Sequence, residues 1–160
     1  MLLLKTVSVV CALALLASVS SVEAREFSPS KMSRGWGAHA VARSSGVLGE
    51  AQRWMGAGNM TGRPGPWCAS FASFVLRKTG HRPLANDAAS AALAYGRRLS
   101  APQIGSLAVI STGYGYAGHV GFVSGVNPDG SIQLLSGNWG HRVSQASISR
   151  RQVVAFVEVK

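Results

Sequence analysis

The spacing of apolar residues divides the chain into a helical half and a strand-rich half. Apolar positions recur at intervals of three and four residues over 47–55 and 67–79, which predicts two amphipathic helices. An alanine-rich segment predicts a third helix over 86–97. Pro66 is suited to the first turn of the second helix, and Gly80 is suited to its end. The first half of the domain is therefore expected to be mainly helical.

The pattern becomes typical of strands after residue 102. Short runs of β-branched and apolar residues predict five strands, at 106–110, 120–126, 131–135, 142–148 and 153–159. The turn sequence Asn127-Pro128-Asp129-Gly130 predicts a hairpin between the second and third of them. Helices followed by antiparallel strands indicate an α+β fold, with N-terminal helices packed on a five-stranded antiparallel sheet.

The first residues of the chain have the composition of a targeting segment. One basic residue precedes the apolar stretch Val9–Ala17, and Val22-Glu23-Ala24 has small residues where a signal peptidase requires them. The apolar stretch is shorter than a membrane-spanning helix needs to be. We therefore predict a signal peptide over 1–24, a flexible leader over 25–46 and one domain over 47–160. This organisation predicts export to the periplasm or the extracellular space.

Removal of the signal peptide changes the cysteine count. Cys11 is lost with it, so Cys68 is the one cysteine of the mature chain. A lone thiol in an exported protein is either buried and inert or retained for chemistry. Cys68 lies at the start of the second predicted helix, where backbone N–H groups and the helix dipole favour negative charge. We expect a lowered pKa there, which makes Cys68 a candidate nucleophile.

Two further residues complete a candidate catalytic set. His119 follows a glycine-rich loop and opens the second predicted strand, where an imidazole could face a cleft. The predicted hairpin brings the end of the third strand beside it, and Asn138 lies just beyond that end. Cysteine, histidine and asparagine form one of the recurring sets of nucleophile, base and orienting group. The alternatives are a surface histidine and an asparagine that only builds a turn.

The charge of the chain restricts its partners. Sixteen Lys and Arg against six Asp and Glu give a net charge of +10, which attracts polyanions. The basic residues are scattered and form no nucleic-acid motif, so we expect acidic envelope polymers and no nucleic acid. The spacings of a zinc site are missing from the sequence, and the alternative metal set of Cys68, His119 and His141 has no motif behind it. We expect no metal and no cofactor.

Three segments carry a resemblance to a known family. Gly65–Phe71 contains Pro-Trp-Cys68, Gly118–Val123 contains His119, and Pro128–Gly140 runs through the hairpin to Asn138. In this order they resemble the CHAP and NlpC-type cysteine peptidases and amidases, and in particular short, exported, single-domain CHAP-like proteins of Gram-negative bacteria. The resemblance spans Leu48–Val159. It implies a papain-like fold and a hydrolase of amide bonds in peptidoglycan, with Cys68, His119 and Asn138 as catalytic residues.

The sequence also departs from the family pattern. Many CHAP members carry an acidic residue where this chain has Ser136, and NlpC-type members often use a second histidine, which makes His141 the alternative to Asn138. Ser136 therefore favours a second reading, a catalytically weak or inactive domain that binds the cell envelope. We expect a monomer. The aromatic side chains near the motifs are expected to bind substrate, namely Trp67, Tyr114, Tyr116 and Trp139.

Overall fold

The computed structural model describes residues 46–113 and 117–160. The predicted signal peptide and all but the last residue of the predicted leader lie outside the described residues. The helices are α1 (46–52), α2 (Cys68–Lys78) and two short 3₁₀ helices, Ala89–Ala94 and Arg150–Gln152. The strands are β1 (Arg98–Leu99), β2 (Leu107–Ser111), β3 (Ala117–Val126), β4 (Ile132–Trp139), β5 (Arg142–Ile148) and β6 (Val153–Val157). Within this part of the chain, no helix is long and apolar enough to cross a membrane.

All neighbouring strands are antiparallel and form one sheet in the order β1-β6-β2-β3-β4-β5. The predicted α+β class is confirmed. The predicted number of five strands is wrong, because the two-residue strand β1 adds a sixth at the edge. It pairs Arg98 with Val157 and Leu99 with Phe156. A strand of two residues is too short to show an alternation of apolar and polar positions, so the sequence pattern does not predict it.

The third predicted helix is also corrected. Instead of an α-helix over 86–97, the chain forms the 3₁₀ helix Ala89–Ala94 and then turns into β1. The cause lies at Gly96, where an added Cβ would be 2.2 Å from the carbonyl oxygen of Glu158. The next residue, Arg97, accepts a hydrogen bond from the Glu158 N–H at 2.9 Å. Pairing with the C-terminal segment therefore replaces the helical geometry that the alanines alone favour.

Helix α2 has well-defined ends, as its flanking residues predict. Its C-terminus forms a Schellman motif, in which Gly80 has a φ of 78° and the His81 N–H donates to the Leu76 carbonyl at 2.8 Å. Its apolar side is buried, with Phe71 and Val75 at 1% and 0% exposure. The helix is thereby fixed in length and orientation against the sheet.

The two faces of the sheet have different partners. One core cluster combines residues of α1 and α2 with alternate strand residues, including Leu107, Val109, Val120, Phe122, Leu135 and Val143. The other cluster contains strand residues alone, namely Ala108, Ile110, Val123, Ile132, Leu134, Ile148 and Phe156. This division follows from the two-residue period of a strand, which sends successive side chains to opposite faces. The helices therefore cover one face of the sheet, as expected.

The predicted hairpin joins β3 and β4. The Gly130 N–H donates to the Asn127 carbonyl at 2.9 Å, and the Asn127 N–H donates to the Ser131 carbonyl at 2.8 Å. Both strands are longer than the sequence pattern suggests, because β3 begins at Ala117 and β4 continues to Trp139. The candidate residues His119 and Asn138 consequently lie inside paired strands. A strand holds its backbone more rigidly than a loop would.

Candidate active site

Cys68 is the first residue of α2. Trp67, at the N-cap position, has a non-helical φ of −120° and its side chain caps no backbone N–H. The first-turn N–H groups are therefore free of side-chain caps and can interact with groups placed at the helix start. Cys68 is a free cysteine, buried at 3% exposure.

The thiol of Cys68 meets β3 beside His119. The backbone N–H groups of Val120, of Ala69 and of Cys68 itself lie close to the sulfur and favour its charged form. Pairing between β3 and β4 runs from Val126–Ile132 to Phe122–Leu135, so Val120 lies beyond the last pair. The thiol of Cys68 therefore lies near the Val120 N–H, at the point where the pairing of the two strands ends and next to His119.

The expected lowering of the Cys68 pKa is wrong in this structure. Burial raises the pKa of the thiol above its ordinary value, because the apolar surroundings penalise the thiolate. The three backbone N–H groups act in the opposite direction, as the helix-start argument expects, but their effect is smaller. The position of Cys68 along the helix is predictable from sequence, whereas its depth in the fold is not.

His119 is held by Ser136. The Nε2 atom of His119 lies 2.8 Å from the Ser136 Oγ atom, and the two residues are 8% and 1% exposed. Gly121 makes this contact possible, since a Cβ atom there would lie 2.7 Å from the Ser136 Cβ atom. Burial lowers the pKa of His119 from 6.5 to about 4, so the imidazole is neutral at pH 7.

The tautomer of His119 determines which imidazole nitrogen can act as a base. A neutral imidazole has one N–H and one lone pair, and Ser136 engages Nε2. If Nε2 carries the proton and donates it to Oγ, the lone pair is on Nδ1. Nδ1 is then the atom that can accept the proton of a thiol. In the residues that the structure describes, no hydrogen bond joins Cys68 directly to the ring, so proton transfer requires an approach of the two groups.

A β-bulge in β4 brings a second residue to the imidazole. Ser136 pairs with Ser144, whereas Trp139 pairs with Arg142, so β4 has one residue more than β5 in this interval. Side chains three positions apart would otherwise point to opposite faces. Because of the bulge, Trp139 also reaches His119, and their ring centroids are 5.0 Å apart at an interplanar angle of 75°.

Strand β4, which carries Ser136, packs closely against the nucleophile helix. A Cβ atom at Gly137 would lie 2.5 Å from the Phe71 Cβ atom and 2.6 Å from the Trp67 Cζ3 atom. Gly137 directly follows Ser136, so this contact ties the group that holds the imidazole to the first turn of α2. A side chain at this position would separate Cys68 from His119.

The other predicted site residues are distributed as follows. Asn138 is half-buried at the bulge with a left-handed φ of 60°. Across residues 46–113 and 117–160, no hydrogen bond joins it to His119. Trp67 is 3% exposed and packs edge-on against Phe71, so the structure assigns its side chain to the core. Trp139 is 36% exposed, which leaves ring surface for a ligand.

The three remaining predicted site residues are Tyr114, Tyr116 and His141. Tyr114 and Tyr116 fall outside the described residues. His141 is exposed in the β4–β5 turn with a φ of 61°. The described ranges contain no group of three or more His, Cys, Asp or Glu placed to hold a metal ion, and Cys68, His119 and His141 form no such group there.

The CHAP domain model matches residues 58–138, half of the chain, and the match includes Cys68, His119 and Ser136. The chain belongs to the CHAP domain family. No curated protein sequence matches this CHAP domain. The resemblance inferred from the three sequence segments is confirmed.

Solved structures agree with the fold of this CHAP domain. A protein of the NLP/P60 family similar to a lipoprotein, from Staphylococcus aureus, matches with a TM-score of 0.54 and 16% identity over 74% of this chain and 42% of its own. The peptidoglycan hydrolase RipB from Mycobacterium tuberculosis matches with a TM-score of 0.52 and 18% identity, over 81% of this chain and 68% of RipB. NlpC1 from Trichomonas vaginalis matches with a TM-score of 0.54 and 15% identity, over 73% and 44%. The predicted papain-like class is thereby confirmed, and the chain spans less than half the length of two of these proteins.

The role of Ser136 as the partner of His119 is not foreseen from the sequence. Ser136 attracts notice there only because many family members have an acid at this place. The usable signal is Gly121, which lies two residues after His119 on the same strand face and leaves the space that the contact needs. A glycine two residues from a candidate catalytic histidine, on the same face of the strand, indicates where a hydrogen-bond partner of the imidazole can approach.

Proposed function

We propose that this protein is an exported cysteine hydrolase that cleaves an amide bond in peptidoglycan, with Cys68 as nucleophile and His119 as general base. The observation that carries the proposal is the contact of the Cys68 thiol with the backbone of Val120, directly after His119. Membership of the CHAP family and the likeness to a solved peptidoglycan hydrolase support the same chemistry. The net charge of +10 suits an acidic envelope polymer.

The reaction starts from a neutral thiol and a neutral imidazole. His119 accepts the thiol proton as the Cys68 Sγ atom attacks the amide carbonyl, which gives a tetrahedral intermediate and an imidazolium. The Cys68 backbone N–H, at the uncapped start of α2, is one donor for the negatively charged oxygen. The imidazolium then protonates the leaving amine, and a thioester remains. Water, deprotonated by the imidazole, hydrolyses the thioester and regenerates the thiol.

Digestion of purified peptidoglycan tests this function. We expect soluble fragments whose masses correspond to the addition of one water across an amide bond, measured by mass spectrometry after incubation with the protein. The masses also identify which amide bond is cleaved. Fragments that arise only from cleavage between sugars, or no fragments at all, would contradict the proposal. Incubation without protein is the control for spontaneous release.

One feature of the site favours a second candidate function. A serine hydroxyl can orient His119, but it cannot stabilise an imidazolium as a carboxylate does, and burial also opposes this cation. The same geometry therefore suits a domain that binds the envelope and turns over slowly or not at all. Tight binding of peptidoglycan without release of fragments is the result that would support this alternative.

Ser136 is proposed as the group that orients His119, and the role predicted for Asn138 is tested beside it. We expect Ser136→Ala to lower kcat by roughly tenfold to a hundredfold with little change in KM, because it removes one hydrogen bond from the base. Asn138→Ala and His141→Ala should each cost less. The measurement is turnover of one soluble peptidoglycan fragment by the three variants, each with its unfolding midpoint checked.

A carboxylate at position 136 provides the converse test. Ser136→Asp, the smaller acid because the site is 1% exposed, should raise the pKa of His119 and move the acid limb of kcat to higher pH. If Asn138→Ala is instead the most damaging variant and Ser136→Asp leaves the pH profile unchanged, the orienting role belongs to Asn138. A dead His141→Ala variant would assign it to the histidine.

A further inference from the structure

The tip of the β4–β5 hairpin carries a basic side chain, Arg142, whose strand partner Trp139 packs against the imidazole and which nothing above assigns to a function. Arg142 is the cross-strand partner of Trp139, and Trp139 stacks edge-on against His119. Directly paired residues of an antiparallel ladder have their side chains on the same face. Arg142 is exposed, while the next residue, Val143, is fully buried in the helix-side core. The guanidinium group is therefore on the sheet face that carries Trp139 and His119.

The backbone around Arg142 is fixed on both sides. On one side β5 pairs with β4, and on the other the Gly56 N–H donates to the Val143 carbonyl while the Val143 N–H donates to the Ala57 carbonyl, both at 2.8 Å. Gly56 and Ala57 begin the segment that leads to Cys68. The start of β5 is thus anchored between β4, which carries Ser136, and the loop that precedes the nucleophile. An anchored backbone lowers the entropic cost of using its side chain for binding.

Arg142 has no acidic partner among the described residues. That part of the chain has four acidic side chains. Glu50, Asp87 and Glu158 form ion pairs with other arginines, Arg53, Arg63 and Arg97 respectively. Asp129 lies in the β3–β4 turn, where it accepts hydrogen bonds from Ser131. A guanidinium on the same sheet face as the imidazole and without a protein anion is suited to an anion of the substrate, and its planar fork matches a carboxylate.

We propose that Arg142 and Trp139 form a subsite that recognises a carboxylate-bearing segment of the substrate peptide next to the bond that is cleaved. Arg142 binds the carboxylate, and the exposed edge of Trp139 packs against the adjoining aliphatic part. This inference rests on the proposed function for its substrate, since peptidoglycan peptides carry free carboxylates. It adds to that function a preference for acidic over amidated peptides.

The test compares a peptidoglycan disaccharide–tetrapeptide with the same molecule after chemical amidation of its carboxylates. Binding is measured by calorimetry in the full chain carrying Cys68→Ala, so that neither ligand is consumed. We expect the acidic ligand to bind more tightly than the amidated one. Adding Arg142→Gln should weaken the acidic ligand roughly tenfold and bring the two affinities within about twofold of each other. Arg142→Lys should recover part of the difference, because it keeps the charge but loses the fork.

Arg151→Gln is the matched control, because it removes the same charge from an exposed position in the 3₁₀ helix before β6. Equal weakening by Arg142→Gln and Arg151→Gln would show a general charge effect and overturn the subsite, as would equal loss for both ligands or no binding of either. Hydrolysis by the wild-type chain is scored separately. If the selective loss occurs but the wild type releases nothing, the subsite stands and the proposed hydrolysis fails. If hydrolysis occurs without selectivity, the reverse holds.

Discussion

Replacing Cys68 by alanine is expected to abolish peptidoglycan hydrolysis, with a loss on the order of 10⁴-fold or more. The reason is that no other thiol is present among the described residues and that the proposed reaction passes through a thioester on this sulfur. The substitution removes one small buried atom, so the free energy of unfolding should fall by only about 1 kcal/mol. Release of soluble fragments measures the first effect, and chemical denaturation measures the second.

A serine on the same helix provides the control for this result. Ser73 is buried at 4% exposure and accepts a hydrogen bond from the Leu84 N–H, but it lies more than one helical turn from Cys68. Ser73→Ala should therefore lower stability without removing hydrolysis. If the Cys68→Ala variant releases fragments at the wild-type rate, the cysteine mechanism is wrong, whatever the family resemblance implies.

His119→Gln is expected to lower kcat on the order of 10³-fold, because general-base catalysis contributes about 10²–10⁴ and glutamine cannot accept the thiol proton. The wild-type pH profile carries the sharper information. Because burial lowers the pKa of His119 to about 4, the basic form persists well below pH 6.5, and the acid limb of kcat/KM should lie near pH 4. An acid limb at pH 6.5 or above would contradict a buried, neutral imidazole in the free protein.

The same residue makes the stability of the protein depend on pH. The unfolded chain binds a proton on this histidine near pH 6.5, whereas the folded chain does so only near pH 4. Between these values the unfolded state holds more protons, so the free energy of unfolding falls as pH falls, by up to about 3 kcal/mol from this group. The His119→Gln variant should lack this component. Denaturation of both proteins at pH 4 and pH 7 measures the difference, and equal pH dependence would show that the pKa of His119 is not lowered in the folded protein.

Helix α2 and the β3–β4 hairpin are the elements that the sequence predicts best. Pro66 and Gly80 bracket the helix, and the observed Cys68–Lys78 agrees closely with the predicted span. The backbone of the turn at Asn127–Gly130 requires specific residues, so the sequence predicts this turn directly. These local signals suffice to bring Cys68 and His119 onto neighbouring elements.

The features that the sequence does not predict depend on contacts between distant segments. The alanines of 86–97 favour a helix, but the end of this segment packs closely against the C-terminal segment at Gly96 and Glu158. The Cys68 pKa follows from burial by the whole fold rather than from the helix start. Ser136 can contact His119 because Gly121, on the neighbouring strand, leaves space beside Ser136. This proximity can be predicted only when the register of β3 and β4 is known.

The extra residue at the β4 bulge determines which face of the sheet each later side chain of the strand occupies. Before it, the side chains follow one alternation, and after it they follow the opposite one, which is how Ser136 and Trp139 both reach His119. The contact between Trp139 and His119 therefore depends on the number of residues in the β4–β5 hairpin and not only on which side chains it carries. A one-residue insertion or deletion between Ser136 and Trp139 should therefore turn Trp139 away from His119, whereas a side-chain substitution leaves the alternation of the strand unchanged.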